Sequence, residues 1–335
     1  MRDRKAEHID LALEDGMQLH SSFFDEYFFD HLALPEIDYK DLDLSVEFIG
    51  RSLRAPLLIS CMTGGTEQAT RINRNLAVAA QATGIALGVG SQRRALEDPA
   101  QAASFDVREL APSVPLLANL GAVQLNYGFG LEECRRAVKM IDADALVLHL
   151  NPLQEALQPE GQCNFSDLVP RIAEIVSSLE VPVIVKEIGC GISSEAGRAL
   201  RDAGLTILDT AGLGGTSWAR IEAKRADDVD LGELFADWGV PTPRSIRALR
   251  SLEGVTVIAS GGVRNGIDVA KAIALGGDIV GLAQPFLAAA NDSADRAIEK
   301  VKRLVRELKI AMFCVGARSV SELQRAVVHR REGEE

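Results

Sequence analysis

A chain of 335 residues with 47% hydrophobic and 25% charged side chains has the composition of a folded globular protein, which excludes a disordered or fibrous chain. Thirty-six basic residues against 48 acidic ones leave a net charge of −12. An acidic surface of that size repels a phosphate backbone, so general nucleic-acid binding is not expected, although a locally positive pocket can still take a compact anion such as a phosphorylated metabolite. The five cysteines, Cys61, Cys134, Cys163, Cys190 and Cys314, show no CxxC spacing, so neither a disulfide framework nor a zinc site is expected, and a reducing, cytoplasmic setting fits. The start MRDRKAEHID has no apolar core of a signal peptide. No stretch approaches the about 18 uninterrupted apolar residues of a membrane span, so a soluble protein with no membrane partner is expected.

The first 54 residues form an N-terminal extension in which Phe23, Phe24, Phe28, Phe29 and the neighbouring leucines read as a packing cover. From there on, short apolar runs alternate with longer amphipathic stretches. The runs are PLLIS (56–60), IALGV (85–89), PLLANL (115–120), ALVLHL (145–150), VPVIVKEI (181–188), TILDT (206–210), VTVIAS (255–260) and DIVGLA (278–283). They are too short for buried helices and too uniformly apolar for half-exposed antiparallel strands. Helix starts are signalled by Asp98-Pro99, by Ser193 or Ser194 before Glu195, and by Thr242-Pro243. Eight strands alternating with helices predict a (β/α)8 TIM barrel rather than an open doubly wound sheet, whose GxGxxG fingerprint is absent after the first strand. The chain is therefore read as one domain over 1–335, with an extension (1–54), a barrel (55–316) and a tail (317–335) ending in a solvated, frayed HRREGEE (329–335). A long loop, 211–241, follows the sixth strand; Trp218, Leu231, Phe235 and Trp238 are its expected apolar anchors.

Chemistry in such a barrel lies at the C-terminal ends of the strands. These ends are polar or glycine-rich: Thr63-Gly64-Gly65, Ser91-Gln92-Arg93, Asn119, His149 with Gln154-Glu155, Lys186-Glu187, Thr210 with Gly214-Gly215-Thr216, Gly262-Val263-Arg264 and Ala283-Gln284. Glycines after the seventh strand, ahead of a helix opening near Asn265 or Gly266, predict a phosphate cradle at a helix N-terminus. Lys186 closes an apolar run and faces either a ligand or a strand-end carboxylate such as Glu187. His149 fits a general base and a hydrogen-bonded core residue equally. Glu155 has no second carboxylate near it in sequence, which speaks against an all-protein metal cage. One carboxylate plus ligand phosphate oxygens suits Mg²⁺. Arg93 and Arg94 are placed for a diphosphate, whereas Arg4 and Lys5 read by default as a solvated pair.

Taken together, RKAEH (4–8), LPE (34–36), APLLIS-C-MTGG (55–65), GVGSQR (88–93), ANLGA (118–122), LHLNPLQE (148–155), VKEIG (185–189), GGTSW (214–218) and SGGVRNG (260–266) resemble the type 2 isopentenyl-diphosphate isomerases, in order and at family spacing. The resemblance implies an FMN-dependent barrel that interconverts isopentenyl and dimethylallyl diphosphate, with reduced FMN, Mg²⁺, and NADPH or another donor to prime the flavin. It also implies a homo-oligomer, tetramer or octamer. Carried over, Thr63, Gly64, Gly65, Ser91, Asn119, Lys186, Thr210, Thr216, Gly262, Val263, Arg264, Ala283 and Gln284 would hold FMN. Arg4, Lys5, Ser91, Gln92, Arg93 and Gln154 would meet substrate, and Glu155 would bind Mg²⁺.

Moving a double bond adds a proton at C4 and removes one from C2, through a cation-like species that demands a dry site and a nearby acid. Reduced flavin N5 is read as that acid–base. Lys186 stabilises the anionic ring, Gln154 orients the substrate or relays the C2 proton, and His149 holds the diphosphate or its neighbours. The first rival is a flavin oxidoreductase. Hydroxy-acid oxidation by this barrel class needs a histidine late in the chain, where only His329 stands, and a nucleotide dehydrogenase needs a cysteine within 211–241, which has none. The second rival is a non-catalytic flavin or phosphate sensor, which has no use for Gln154-Glu155 and Arg4-Lys5 beside the cofactor loops.

Overall fold

In the computed structural model, residues 4–14 and 16–331 are described. The eight predicted runs form the strands Leu57–Ile59, Ala86–Gly88, Leu116–Gly121, Ala145–His149, Val183–Lys186, Ile207–Asp209, Thr256–Ser260 and Ile279–Leu282. All neighbours are parallel and the sheet closes on itself. The alternation of side chains along each strand explains why the runs are apolar throughout. Outward residues such as Leu146, Leu148, Val185 and Val257 pack under the helices, while Leu58, Leu117, Ala145, Val147, Ile184 and Ile258 fill the lower half of the barrel interior. The same inward parity, two residues further on, places Asn119, His149, Lys186, Asp209 and Ser260 in the upper half. Polar chemistry therefore sits directly on an apolar plug.

The outer helices follow local rules. Glu67–Thr83 starts at Thr66, whose hydroxyl accepts the Ala69 N–H, and stops at Gly84 with φ +70°; Ile72, Leu76 and Ala80 form its buried stripe. Asp98 caps a 3-10 helix, Pro99–Ser104, rather than an α-helix, and Ser193 caps Ser194–Asp202. Helix Thr242–Arg250 begins one residue before the position expected from Thr242-Pro243, with Pro241 at the cap. The Thr242 hydroxyl donates instead to the Leu213 and Ser260 carbonyls. Among the described residues no helix is long and apolar enough to cross a membrane.

The extension and the tail are not appendages. Helix Arg4–Leu13 packs against Gln284–Asp292 and Trp218–Ala226 at the top of the barrel. The hairpin Val46–Phe48/Arg51–Leu53 closes the bottom, with Phe48 and Leu53 buried in the interior plug. Strand Val328–Arg330 pairs antiparallel with Tyr27–Phe29, fastened by Arg330 on Glu26 at 2.6 Å. The tail up to Arg331 is thus ordered by a distant partner that no local pattern reveals; the rest of HRREGEE, 332–335, lies outside the described residues. The segment 211–241 is also structured, with helices Trp218–Ala226 and Val229–Leu234 and a bridge between Leu213 and Pro241. Two of its expected anchors do not anchor it, since Leu231 and Trp238 are exposed.

At the bottom, Asp144 accepts from the Leu116 N–H at 2.8 Å, Arg108 at 2.7 Å and Arg51 Nε at 2.8 Å, joining the closing hairpin to two strand starts. Burial works to raise its pKa, but these three partners outweigh it and hold the carboxyl below the usual range. A depressed folded pKa stabilises above the unfolded value, and that stability is lost as the pH falls through the folded one. Asp144→Asn is expected to cost about 2 kcal/mol at pH 7. The gap to wild type should narrow once the pH drops below about 4. Urea unfolding midpoints at the two pH values check this, and an equal gap at both would refute it.

Candidate active site

Above the plug, the strand ends enclose a cavity of about 1010 Å³. Of the residues singled out from the sequence, Arg4, Lys5, Thr63, Gly64, Ser91, Arg93, Asn119, His149, Gln154, Glu155, Lys186, Thr216, Gly262, Val263, Arg264, Ala283 and Gln284 line it. Gly65, Gln92 and Thr210 are not among the lining residues. Gln92 is fully buried; its amide donates to the Ala137 carbonyl at 2.9 Å and accepts the Asn119 N–H at 2.9 Å. Its side chain braces the third strand from within the barrel wall, behind the cavity-lining residues. Thr210 is likewise consumed in the barrel wall, donating to the Ser260 carbonyl and accepting the Ser260 N–H. The Gly65 N–H donates to Ser104.

Lys186 stands on the floor, 7% exposed, with Nζ donating to the Glu187 carbonyl at 2.8 Å. The carboxylate alternative fails on geometry. Glu187 turns its Oε2 to the N–H groups of Ile188, Gly189 and Cys190 at 2.6, 2.7 and 2.5 Å, clamping its own loop. Asp209, in register with Lys186 on the next strand, accepts from the Ser260 hydroxyl at 2.5 Å. Burial raises its pKa, against the pull of Lys186.

His149 Nδ1 lies 2.8 Å from Asn119 Oδ1. An amide oxygen only accepts, so this contact puts the proton on Nδ1. Burial first, then the charges of Lys186 and Lys5, push its pKa down to about 3. Burial and the two lysines thus favour the neutral ring.

On the opposite wall, Gln154 Nε2 donates to Glu222 Oε1 at 2.7 Å, and the Asn151 amide donates to Gln154 Oε1 at 3.1 Å. Glu222, fully buried, also meets His8 Nε2 at 3.0 Å and Arg225 at 2.5 Å. Burial works to raise its pKa, but the close approach of His8 and the hydrogen bonds from Gln154 and Arg225 prevail and lower it. His8 is packed edge-on against Trp218, ring centroids 5.3 Å apart. Neither Glu222 nor His8 was anticipated as a site residue. His8 and Gln154 lie 68 or more residues from Glu222 in sequence, and the local signals were only Arg225 three residues on and the position of Glu222 between the buried Ile221 and Ala223 of a helix.

Glu155 is no surface carboxylate. It is 7% exposed on helix Pro152–Leu157. It accepts from Asn151 Nδ2 at 2.8 Å, Gln158 Nε2 at 2.7 Å and the Gln162 N–H at 2.6 Å. Among the described residues no cluster of three or more His, Cys, Asp or Glu side chains is arranged to hold a metal.

The rim is basic. Lys5 Nζ donates to the Ser91 carbonyl at 2.9 Å and sits 5.4 Å from the Phe105 ring centroid. Arg4 is 3.7 Å from Glu160, and Arg93 is held by Glu97 and Gln162. On the far side two glycine turns touch. A Cβ on Gly262, whose φ is +71°, would come within 2.6 Å of the Gly214 backbone. The expected helix N-terminus is closed to ligand, because Asn265 accepts the N–H groups of Ile267 and Asp268 and Glu307 accepts that of Gly266. The part of this loop that faces the cavity is the turn 261–263 ahead of the helix. The Arg264 guanidinium ties that turn to the extension through the carbonyls of Leu19 and His20.

The FMN-dependent dehydrogenase family matches residues 168–330. A curated relative named isopentenyl-diphosphate delta-isomerase, from Synechococcus sp., is 51% identical over 98% of this chain and 96% of its own. Namesakes from Nostoc sp. and Rickettsia bellii are 49% and 47% identical, each over 96% of this chain. The chain belongs to the isopentenyl-diphosphate delta-isomerase family. In solved structures the fold recurs in a mandelate oxidase variant with (S)-mandelic acid, at TM-score 0.67 and 18% identity over 97% of this chain and 94% of that one. A lactate oxidase of Pediococcus acidilactici gives 0.65 and 18% over 93% and 85%. At that identity the likeness shows the barrel fold alone. His329, the late histidine of this chain, is paired with Asp30 at 2.9 Å in the outer sheet and is not among the cavity-lining residues.

Proposed function

We propose that the protein interconverts isopentenyl and dimethylallyl diphosphate. The observation that carries this reading is the cavity's division into a basic rim, a cationic floor and a wall with a fixed amide, in a chain 51% identical to a protein named for that activity. The cavity wall suits a polar guest, since Ser60 Oγ and Asn151 Oδ1 are buried there without a partner. Thr63, Gly64, Ser91, Asn119, Lys186, Thr216, Gly262, Val263, Ala283 and Gln284 would hold FMN. When bound and reduced, FMN would supply the acid–base chemistry at carbon.

The protein's own residues do the rest. Arg4, Lys5 and Arg93 take the diphosphate as charge-assisted donors. Glu155, with one of its four lone-pair positions left over from three hydrogen bonds, would share Mg²⁺ with the phosphate oxygens. Glu222 and Asn151 hold the Gln154 amide in a single orientation toward the substrate, and the ion pair of Glu222 with Arg225 keeps that anchor charged. His149 fixes the Asn119 amide through Nδ1–H. Helices Arg4–Leu13 and Trp218–Ala226 cover this wall and exclude water that would quench a cationic species. NADPH or another donor would prime the flavin. The five free cysteines support a reducing, cytoplasmic setting, and the exposed apolar surface at 229–238 supports a homo-oligomer.

Incubation with reduced FMN, Mg²⁺ and isopentenyl diphosphate in deuterated solvent is expected to yield dimethylallyl diphosphate labelled in the new methyl group, with NADPH consumption far below product. One NADPH oxidised per product formed would overturn the redox-neutral reading, and preferential binding of FAD would overturn the cofactor.

A further inference from the structure

The cavity floor holds a second buried charge to which the proposed reaction gives no part. Asp209 ends the sixth strand, 3% exposed, in register with Lys186 at the end of the fifth. Both residues line the cavity. Parallel neighbours lie about 4.8 Å apart in the sheet, yet each of these side chains is tied elsewhere than to the other. Lys186 Nζ donates to the Glu187 carbonyl. Asp209 Oδ1 accepts both the Ser260 hydroxyl at 2.5 Å and the Ala211 N–H at 3.2 Å. Both bonds fall on one oxygen, so Oδ2 is left to the cavity with no donor among the described residues. The adjacent acid does not share this position, because Glu187 is engaged by the N–H groups of its own loop.

The two opposite charges reach the same part of the floor. Cys61, after the first strand and across the barrel from the fifth, also lines the cavity. Burial pushes its thiol pKa up to about 11, while Lys186 pulls it down and Asp209 pushes it further up. We infer that Asp209 is a positioning residue for charge: its carboxylate opposes Lys186 at the floor and sets how strongly a bound flavin holds extra electrons. This rests on the proposal that FMN binds over Lys186. A cation alone favours a reduced, anionic ring. A carboxylate beside it, in a site where charges are weakly screened, offsets part of that preference. An anion held less firmly keeps more affinity for a proton, which suits a ring that must give and take protons rather than store electrons.

The test is anaerobic redox titration of the full-length wild type, Asp209→Asn and Asp209→Ala, each loaded with FMN. Asparagine keeps Oδ1 for Ser260 and Ala211 and exchanges only the open oxygen for NH2, so the fold should survive, and melting curves verify that. Alanine removes the charge by a second route should the asparagine variant not fold. Each variant should hold reduced FMN about tenfold more tightly, relative to oxidised FMN, than the wild type does. That is a rise in midpoint potential of about 30 mV for two electrons, opposite in sign to the shift expected when the Lys186 charge is removed. An Asp209 with a merely structural role would weaken both forms of the flavin alike, and one without charge would change neither. An unchanged or lowered potential in FMN-loaded variants would therefore overturn this inference and leave the flavin reading intact. A wild type that binds no FMN would overturn the flavin reading, and this inference with it.

Discussion

Replacing Lys186 with methionine is expected to lower turnover by about 100- to 1000-fold, the usual loss when a preorganised charge is removed from where negative charge resides. The substitution keeps the aliphatic stem that packs on the floor and deletes the Nζ that donates to the Glu187 carbonyl. It also leaves Asp209 buried beside an uncharged neighbour. A reduced, anionic ring loses more from this than an oxidised, neutral one. The flavin midpoint potential should therefore fall by about 30 mV or more, equivalent to 1.4 kcal/mol for two electrons. Anaerobic titration of the reconstituted variant measures the potential, and steady-state assays measure turnover. A variant with wild-type potential and wild-type turnover would reduce Lys186 to a strand-end lysine satisfied by a carbonyl.

Glu155→Gln should lower activity by about 100-fold or more, about 3 kcal/mol of lost transition-state stabilisation. Raised Mg²⁺ should restore part of it, since phosphate oxygens still ligate the ion. A loop carboxylate would have left stability untouched, but the structure requires a different outcome. All three partners of Glu155, the amides of Asn151 and Gln158 and the Gln162 N–H, are donors. The incoming amide NH2 must face one of them, and the unmet pair should cost about 1–3 kcal/mol of stability. Melting curves and Mg²⁺ titrations separate the two effects. Normal turnover at every Mg²⁺ concentration would remove the metal role and leave the flavin reading intact.

The barrel was legible because its signal is local. Eight apolar runs of strand length and the capping residues between them act within a few positions, so the strands from Leu57–Ile59 to Ile279–Leu282 fall inside the segments marked from the sequence, except that the third runs on to Gly121. The phase of each strand was legible too. Ile184 and Lys186 share a face whatever the tertiary structure, and the barrel only decides that this face is the inner one. What tertiary structure alone decided are pairings between distant segments. Gln92 stands in a strand-end motif yet turns into the wall, because the third strand and helix Leu131–Met140 offer it two backbone partners. Val328–Arg330 is a strand only because Tyr27–Phe29 lies beside it. Glu155 and Glu222 were assigned by how the folded chain encloses them, Glu155 through partners within seven residues and Glu222 through His8 and Gln154 from distant segments. The first is sealed by a loop folding back from Gln158 to Gln162, the second enclosed by His8, Gln154 and Arg225 from three elements. Hydrophobic periodicity specifies the elements, whereas the partner of a buried polar group depends on which surfaces the folded chain brings within hydrogen-bond distance.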